Sequence, residues 1–412
     1  MGKEEENKSR IPESERVGWG KPLFSMLGCN VAVTSLMVGG GLISGLTVKN
    51  VIIASIIGNL ILALIVYIQG NIGLREGLDT YTLTEMAFGA KGNKWVVSLI
   101  FAITLFGWFG IQAGLAAKSI QKIFPSLSNF TVLAIIAGLI MTYFAAKGFH
   151  SIAWFNYIVI PPVVLLILIG LVKTLNMYGI KDIWMYTPQN PIGLVEGIDM
   201  VVGLIICGAI TSADYTRYCR KSSDVAIVGL IGFAVVSVFQ QIGAALISIS
   251  SPSWDITEVL YGLGYHWIAF VILIGAAWST NLVSAYSGGL ALSNIFPKYK
   301  RSTLTVVAGL IGTILAAFNI IQKFTSFLSF MGVIYGPIIG VLWAEYYLVK
   351  KKYYVDKDVN WPAIIIALIG AIMCYITSIN NIGISSINGL LISFILYSIY
   401  NYKKIKEACE EK

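Results

Sequence analysis

Apolar residues fall along this chain in long blocks divided by short polar ones. Twelve blocks stand out, at roughly 22–44, 50–74, 95–120, 130–147, 152–174, 196–218, 225–249, 267–295, 303–320, 325–349, 361–379 and 384–401. A helix needs about 20 mostly apolar residues to cross the hydrocarbon of a bilayer. Most blocks reach or approach that length, so each is predicted to be a membrane-spanning helix. Residues 1–21 are polar and hold no apolar core, so they are expected to form a tail rather than a cleaved signal peptide. An even number of spans sets both termini on one side.

Two blocks look interrupted. The first reads FSMLGCNVAVTSLMVGGGLISGL, where Gly28, Asn30 and the run Gly39–Gly41 weaken a continuous helix. The sixth reads VVGLIICGAITSADYTRY, with Gly203 and Gly208 near its middle. These blocks lie five spans apart. Interrupted helices at matching positions of two halves are the best sequence pointer to a transporter's binding site. The same glycines also serve close helix packing, so both readings stand.

Polar groups within the apolar blocks narrow the chemistry. The eighth block, Trp267 to Ile295, carries Trp278-Ser279-Thr280-Asn281 near mid-depth. Polar groups there must find partners inside the protein or in a cavity. Two hydroxyls beside Ala276 and Ala277 offer oxygens to a hard cation such as Na+, or bond back to their own helix. In the third block Trp108 and Gln112 are one turn apart and share a face. An indole wall with a carboxamide beside it suits a planar ring edged with amide-like groups. Asp214 and Glu345 fall near the ends of blocks six and ten, and Glu196 and Asp199 begin block six, so no titratable group is expected at mid-membrane. That favours a cation held by hydroxyls and carbonyls, and an uncharged substrate.

Composition agrees with a polytopic membrane protein. The chain is 57% hydrophobic and 12% charged, about half the charge of a soluble protein. The net charge of +8 sits in short loops, so it signals orientation rather than nucleic-acid binding. With the N-terminus in the cytoplasm, 23 of the 29 Lys and Arg residues fall on the cytoplasmic side, which predicts both termini inside a plasma membrane. Five cysteines without paired spacing read as small apolar residues, and two distant histidines argue against a zinc or haem site.

Several motifs together carry a family resemblance. They are Met26-Leu27-Gly28 and Gly39-Gly40, Ile57-Gly58-Asn59-Leu60, Phe88-Gly89-Ala90-Lys91-Gly92, Gly107-Trp108-Phe109-Gly110, the run Thr211 to Tyr218, and Trp278-Ser279-Thr280-Asn281. In this order they resemble the nucleobase:cation symporter-1 family, and within it the cytosine (purine-cytosine) permeases. The resemblance implies an all-α leucine-transporter fold: twelve transmembrane helices, as 5+5 inverted repeats plus two extra helices. The parts would be a cytoplasmic tail over 1–21, one repeat over 22–174, an extracellular connection over 175–195, a second repeat over 196–349, two added helices over 350–402, and a tail over 403–412.

The resemblance also implies roles. Na+ would sit at carbonyls of Gly28, Val31 and Ala276 and the hydroxyls of Ser279 and Thr280. Trp108 would stack on the substrate, with Gln112 and Asn281 hydrogen-bonding it and the backbone at Leu204 and Ile205 supplied by the break in helix six. The chain departs from the family pattern at Ile205, where an aromatic is common, at Leu105, where cytosine-type members carry a glutamine, and at Ala285. Asn30 is placed to supply some of the lost polarity. The function implied is Na+ symport of a neutral nucleobase, cytosine first, by alternating access. The alternative is a proton-coupled or uncoupled permease for a hydantoin, allantoin, purine or amino acid. Phe327 and Leu328, near Gly332, are read as a thin lid. No organic cofactor, nucleic acid or obligate protein partner is implied. A channel would need a continuous polar path and an enzyme an acid–base, nucleophile or metal constellation; neither pattern is evident.

Overall fold

The computed structural model describes residues 10–31, 33–147, 149–250, 256–264 and 266–410. Among them, eight helices are long and apolar enough to cross a membrane, and four shorter apolar helices accompany them. They are α1 (Gly20–Asn30) continuing as α2 (Val33–Gly45), α3 (Val48–Glu76), α5 (Ala90–Ile123), α6 (Phe130–Ala145), α7 (Phe149–Trp184), α8 (Leu194–Ile210) continuing as α9 (Ala213–Thr216), α10 (Ser222–Ser248), α12 (His266–Ile295), α13 (Arg301–Ala317), α14 (Phe324–Trp343, extended by a π-helical Ala344–Lys350), α15 (Trp361–Ile379) and α16 (Ser385–Tyr400). The twelve spans follow the apolar blocks. Three more helices lie outside them: α4 (Thr80–Phe88), α11 (Ile256–Gly262) and α17 (Tyr402–Glu410).

The spans pack as two assemblies. One is α1–α3 with α8, α9 and α10; the other is α5, α6, α12 and α13. Helices α14, α15 and α16 pack on one another at the side. This is the leucine-transporter architecture expected from the twelve-span pattern.

Both expected interruptions exist; the first lies beside Asn30, as expected, but not at Gly39–Gly41, and the second does not lie at its glycines. Helix α1 ends at Asn30, and Val31 leaves the helical region (φ −81°, ψ 61°). Gly39–Gly41 lie inside the continuous α2. The sixth span runs unbroken through Gly203 and Gly208 and turns only at Thr211–Ser212. Leu204 and Ile205 therefore sit in regular helix, so no unwound backbone is available there. The connection expected over 175–195 is helical as far as Trp184, with a kink at Gly179 (φ 73°).

The glycines have a packing role instead. A Cβ at Gly39 would lie 2.3 Å from the Gln241 carbonyl oxygen, and one at Gly58 would lie 2.5 Å from Val201. In the other assembly Gly138 meets Thr313 at 2.4 Å and Gly312 meets Phe109 at 2.6 Å. Among the described residues, no glycine approach under 3.0 Å joins one assembly to the other. Gly39→Ala is expected to force the α2 and α10 backbones apart, costing about 1–3 kcal/mol. A melting curve of the purified protein would show it as a lowered Tm; an unchanged Tm would mean that this contact relaxes freely.

At the end bearing the termini, α4 is wholly buried. Asp79 caps it by accepting the Thr82 N–H at 2.9 Å and pairs with Arg217 at 3.1 Å. Asn93 and Asn294 each donate to the Tyr81 carbonyl, and Asn294 also reaches Glu85 at 2.8 Å. Helix α4 thus bonds to both assemblies. The segment before α1 lies on the same end, with Arg10 on Glu76 at 3.0 Å and the Val17 N–H on the Tyr218 carbonyl at 2.7 Å.

Candidate binding cavity

A cavity of about 50 Å³ sits where α2, α5, α8, α9 and α12 converge. Helix geometry explains its walls. On α12, Thr280, Val283, Ser284 and Ser287 follow a three-to-four residue spacing and share one face; all four line the space. Leu105 and Trp108 do the same from α5. The first turn of α2 brings Thr34 and Ser35, and α8 brings Leu204, Ile205, Cys207 and Gly208. None of the lining residues carries a formal charge.

Trp108 stands edge-on to Phe324 and Phe327, with ring centroids 6.3 Å and 5.7 Å away. Phe327 lies against Gly107, where a Cβ would sit 2.3 Å from its ring. The side chain of Leu328, the other half of the expected lid, lies outside the described residues. One wall is thus an indole fixed by two phenyl rings. Leu204 and Ile205 add an aliphatic side.

The hydroxyls lean on their own helices. Thr280 Oγ1 donates to the Ala276 carbonyl (3.1 Å), Ser284 to that of Thr280 (3.0 Å) and Thr211 to that of Cys207 (2.9 Å). Each hydroxyl spends its proton there, so what its oxygen can still do is accept. Across the first break, Ser35 Oγ donates to the Asn30 carbonyl at 2.6 Å. That satisfies one of the carbonyls left over where a helix ends.

Of the residues expected at the substrate, Trp108, Leu204 and Ile205 meet at the cavity. Gln112, Asn281 and Asn30 do not line it; all three are fully buried. Asn281 Nδ2 donates to the Phe109 carbonyl (3.1 Å) and lies 3.0 Å from Met141 Sδ, tying α12 to α5 and α6. Among the described residues, neither carboxamide atom of Gln112 or Asn30 has a partner. A buried unpaired amide is costly, about 1–3 kcal/mol per group, so each needs an explanation. Of the residues expected at the cation, Gly28 is in the last turns of α1, Val31 caps it, and Ala276, Ser279 and Thr280 are buried on α12, which packs against α1.

Several cavity residues escaped sequence reading. Ser284 and Ser287 continue the Thr280 face at helical spacing, a signal that was present. Tyr215, Thr211 and Cys207 required the true position of the second break. Asp214, expected at the end of its span and away from the centre, is fully buried. Its carboxylate accepts the Thr80 N–H at 3.0 Å and the Ser287 hydroxyl at 3.3 Å, beside the Tyr215 hydroxyl. The floor of the cavity is therefore joined to α4 and, through it, to the Asp79–Arg217 pair. Cys207, Cys219 and Cys374 are buried and not in disulfides. Burial pushes the Cys219 thiol up to about 12, consistent with the reading of the cysteines as inert packing residues.

Residues 10–397 match the family model for permeases of cytosine/purines, uracil, thiamine and allantoin. The cytosine permease of Escherichia coli (strain K12) is 29% identical, covering 87% of this chain and 86% of its own length. The hydantoin permease of Microbacterium maritypicum is 23% identical, covering 89% and 82%. Among solved structures, Mhp1, a nucleobase-cation-symport-1 family transporter in a closed conformation with bromovinylhydantoin bound, superposes with a TM-score of 0.84 at 19% identity, covering 99% of this chain and 96% of that one. A Na+-coupled sialic acid symporter follows at 0.70 and 11%, covering 96% and 91%. The fold, the uncharged cavity at the meeting of the two assemblies and a family match over nearly the whole chain lead to one assignment: this chain belongs to the nucleobase:cation symporter-1 family and is a multi-pass membrane transporter, not an enzyme.

Proposed function

We propose that the chain imports a neutral planar nucleobase, cytosine first, together with Na+, and that both termini face the cytoplasm. The observation that carries this reading is the pairing of the braced Trp108 ring with the hydroxyl-bearing face of α12 across a cavity free of formal charge. A flat ring would stack on Trp108, with Leu204 and Ile205 on its other face. Gln112, one turn from Trp108 and unpartnered, would turn its carboxamide to the ring's donor and acceptor edge. Asn281 and Asn30 would complete that edge. The cytosine permease relative supports cytosine as the first substrate to test.

The ion would lie between the end of α1 and α12, at the carbonyls of Gly28, Val31 and Ala276 and the hydroxyls of Ser279 and Thr280. The donor set fits an alkali cation: neutral oxygens at the negative end of a helix, with no carboxylate among them. A bound cation supplies the driving force, since each charge moving down 100 mV yields about 2.3 kcal/mol. Holding α1 to α12, it would order the adjoining substrate wall, so each ligand tightens the other. The first assembly would then rock against the second to change access.

A second reading rests on Asp214. Its buried carboxylate touches Ser287 of the cavity, a place from which a proton, rather than Na+, would report to the substrate.

Thermal stability of the purified protein against nucleobases and hydantoins, in Na+ and in choline, tests both. A ligand at 100 times its Kd stabilises the folded state by about 2.7 kcal/mol. Sodium coupling predicts a shift with cytosine that grows in Na+, and a growth that disappears in Ser279→Ala and Thr280→Ala. A shift equal in both salts but dependent on pH, and lost in Asp214→Asn, would favour the proton instead.

A further inference from the structure

We propose that the chain carries a second, outer subsite for the transported ring, adjoining the central cavity at the end of the spans away from the termini; this rests on the reading of the chain as a nucleobase carrier. A cavity of about 350 Å³ lies there, between α2 and α8 on one side and α14–α16 on the other.

Gly203 is the first pointer. It does not break α8, and a glycine inside a helix costs about 1 kcal/mol relative to alanine. Elsewhere on α8, Gly197 is accounted for by close packing, since its Cβ would lie 2.6 Å from Leu46. At Gly203 a Cβ would meet nothing within 4 Å except the Ser386 hydroxyl, at 4.0 Å. Gly332, on α14, likewise faces only the Ser386 hydroxyl, at 3.2 Å. Gly203 thus leaves space beside the Ser386 side chain, and Gly332 lets α14 approach it closely. Ser386 is 1% exposed, and its hydroxyl has no partner among the described residues. Stranding a buried hydroxyl costs about 1–3 kcal/mol, a cost that a ligand bonding to it would offset.

The walls indicate the ligand. Glu196, Asp199 and Gly203 share a face of α8 by their spacing, and all three line the cavity. Asp199 is held in place by the Ser385 N–H at 2.9 Å and its hydroxyl at 3.0 Å. Met200 and Phe324 supply apolar sides. Acceptors at one edge and apolar walls beside them suit a neutral heterocycle with N–H donors. The volume is far more than a lone metal ion fills. Leu204 lines this cavity and the central one, so the two adjoin at its side chain.

Equilibrium dialysis of radiolabelled cytosine against the purified full chain in Na+ tests the proposal. Two equivalents are expected for the wild type. Gly203→Leu fills the outer space and is expected to leave one equivalent, removed in turn by Trp108→Ala. Ser386→Ala, which changes little volume, is expected to weaken the outer equivalent about fivefold and guards against misfolding of Gly203→Leu. A single wild-type equivalent, lost in Trp108→Ala and indifferent to both outer variants, would overturn the outer subsite and leave the carrier reading intact. No binding of any nucleobase or hydantoin would remove both.

Discussion

Trp108→Ala is expected to weaken substrate binding about ten- to a hundredfold while Na+ binding is largely kept. The ring supplies the cavity's aromatic wall, and base stacking on an aromatic side chain contributes about 1–3 kcal/mol. Truncation also leaves Phe324 and Phe327 without their edge contacts, so the wall itself loosens. Both effects fall on the ring and neither on the oxygens near α1. Isothermal titration with cytosine, and separately with NaCl followed by Trp fluorescence, would separate them. Trp108→Phe is expected to recover part of the affinity. Cytosine binding at wild-type strength in Trp108→Ala would place the substrate elsewhere.

That prediction was legible in the sequence, and it is useful to see why others were not. Hydropathy fixes where spans lie, because an unsatisfied polar group in hydrocarbon is costly; the spans accordingly follow the apolar blocks. Breaks are harder. Glycine marks a weak helix and a close helix contact with the same letter, and at Gly39 the contact with the Gln241 carbonyl is the reason it is there. The first break falls at Val31, next to the Asn30 that marked it in the sequence, and there the Ser35 hydroxyl donates to the freed Asn30 carbonyl. Ser35 is an ordinary residue on paper. Helix α4 was not seen because Thr80–Phe88 is short and mixed in character, and its burial comes from partners far along the chain. Gln112 was visible as a polar residue beside Trp108, yet sequence could not show that its amide is unpartnered. The contact of Asp214 with Ser287 joins residues 73 positions apart, and nothing local foretells it.

Asp79→Ala is the second large effect, and it falls on stability. It removes the partner of Arg217, whose side chain is 8% exposed. Breaking a buried pair on one side costs about 3–5 kcal/mol, because the remaining charge is left in low dielectric. The loss of the α4 cap adds about 1 kcal/mol. The expected outcome is a sharply lowered Tm. Arg217→Met in the same chain is expected to restore much of it, since no stranded guanidinium remains. A double-mutant cycle on melting data would give the coupling. Additive single effects would mean that the pair is hydrated and not the buried latch described above.

The glycine contacts have a consequence for how such a chain changes over generations. Close approaches pin helices inside each assembly and do not cross between them among the described residues. Interior positions such as Gly39 or Gly312 therefore tolerate almost no replacement. The seam holding Leu105, Ile205 and Ser284 is built from side chains around space, where one residue can be exchanged for another without moving a backbone. Substrate preference can thus drift along the seam while the two halves stay the same, and one scaffold can come to serve many different rings.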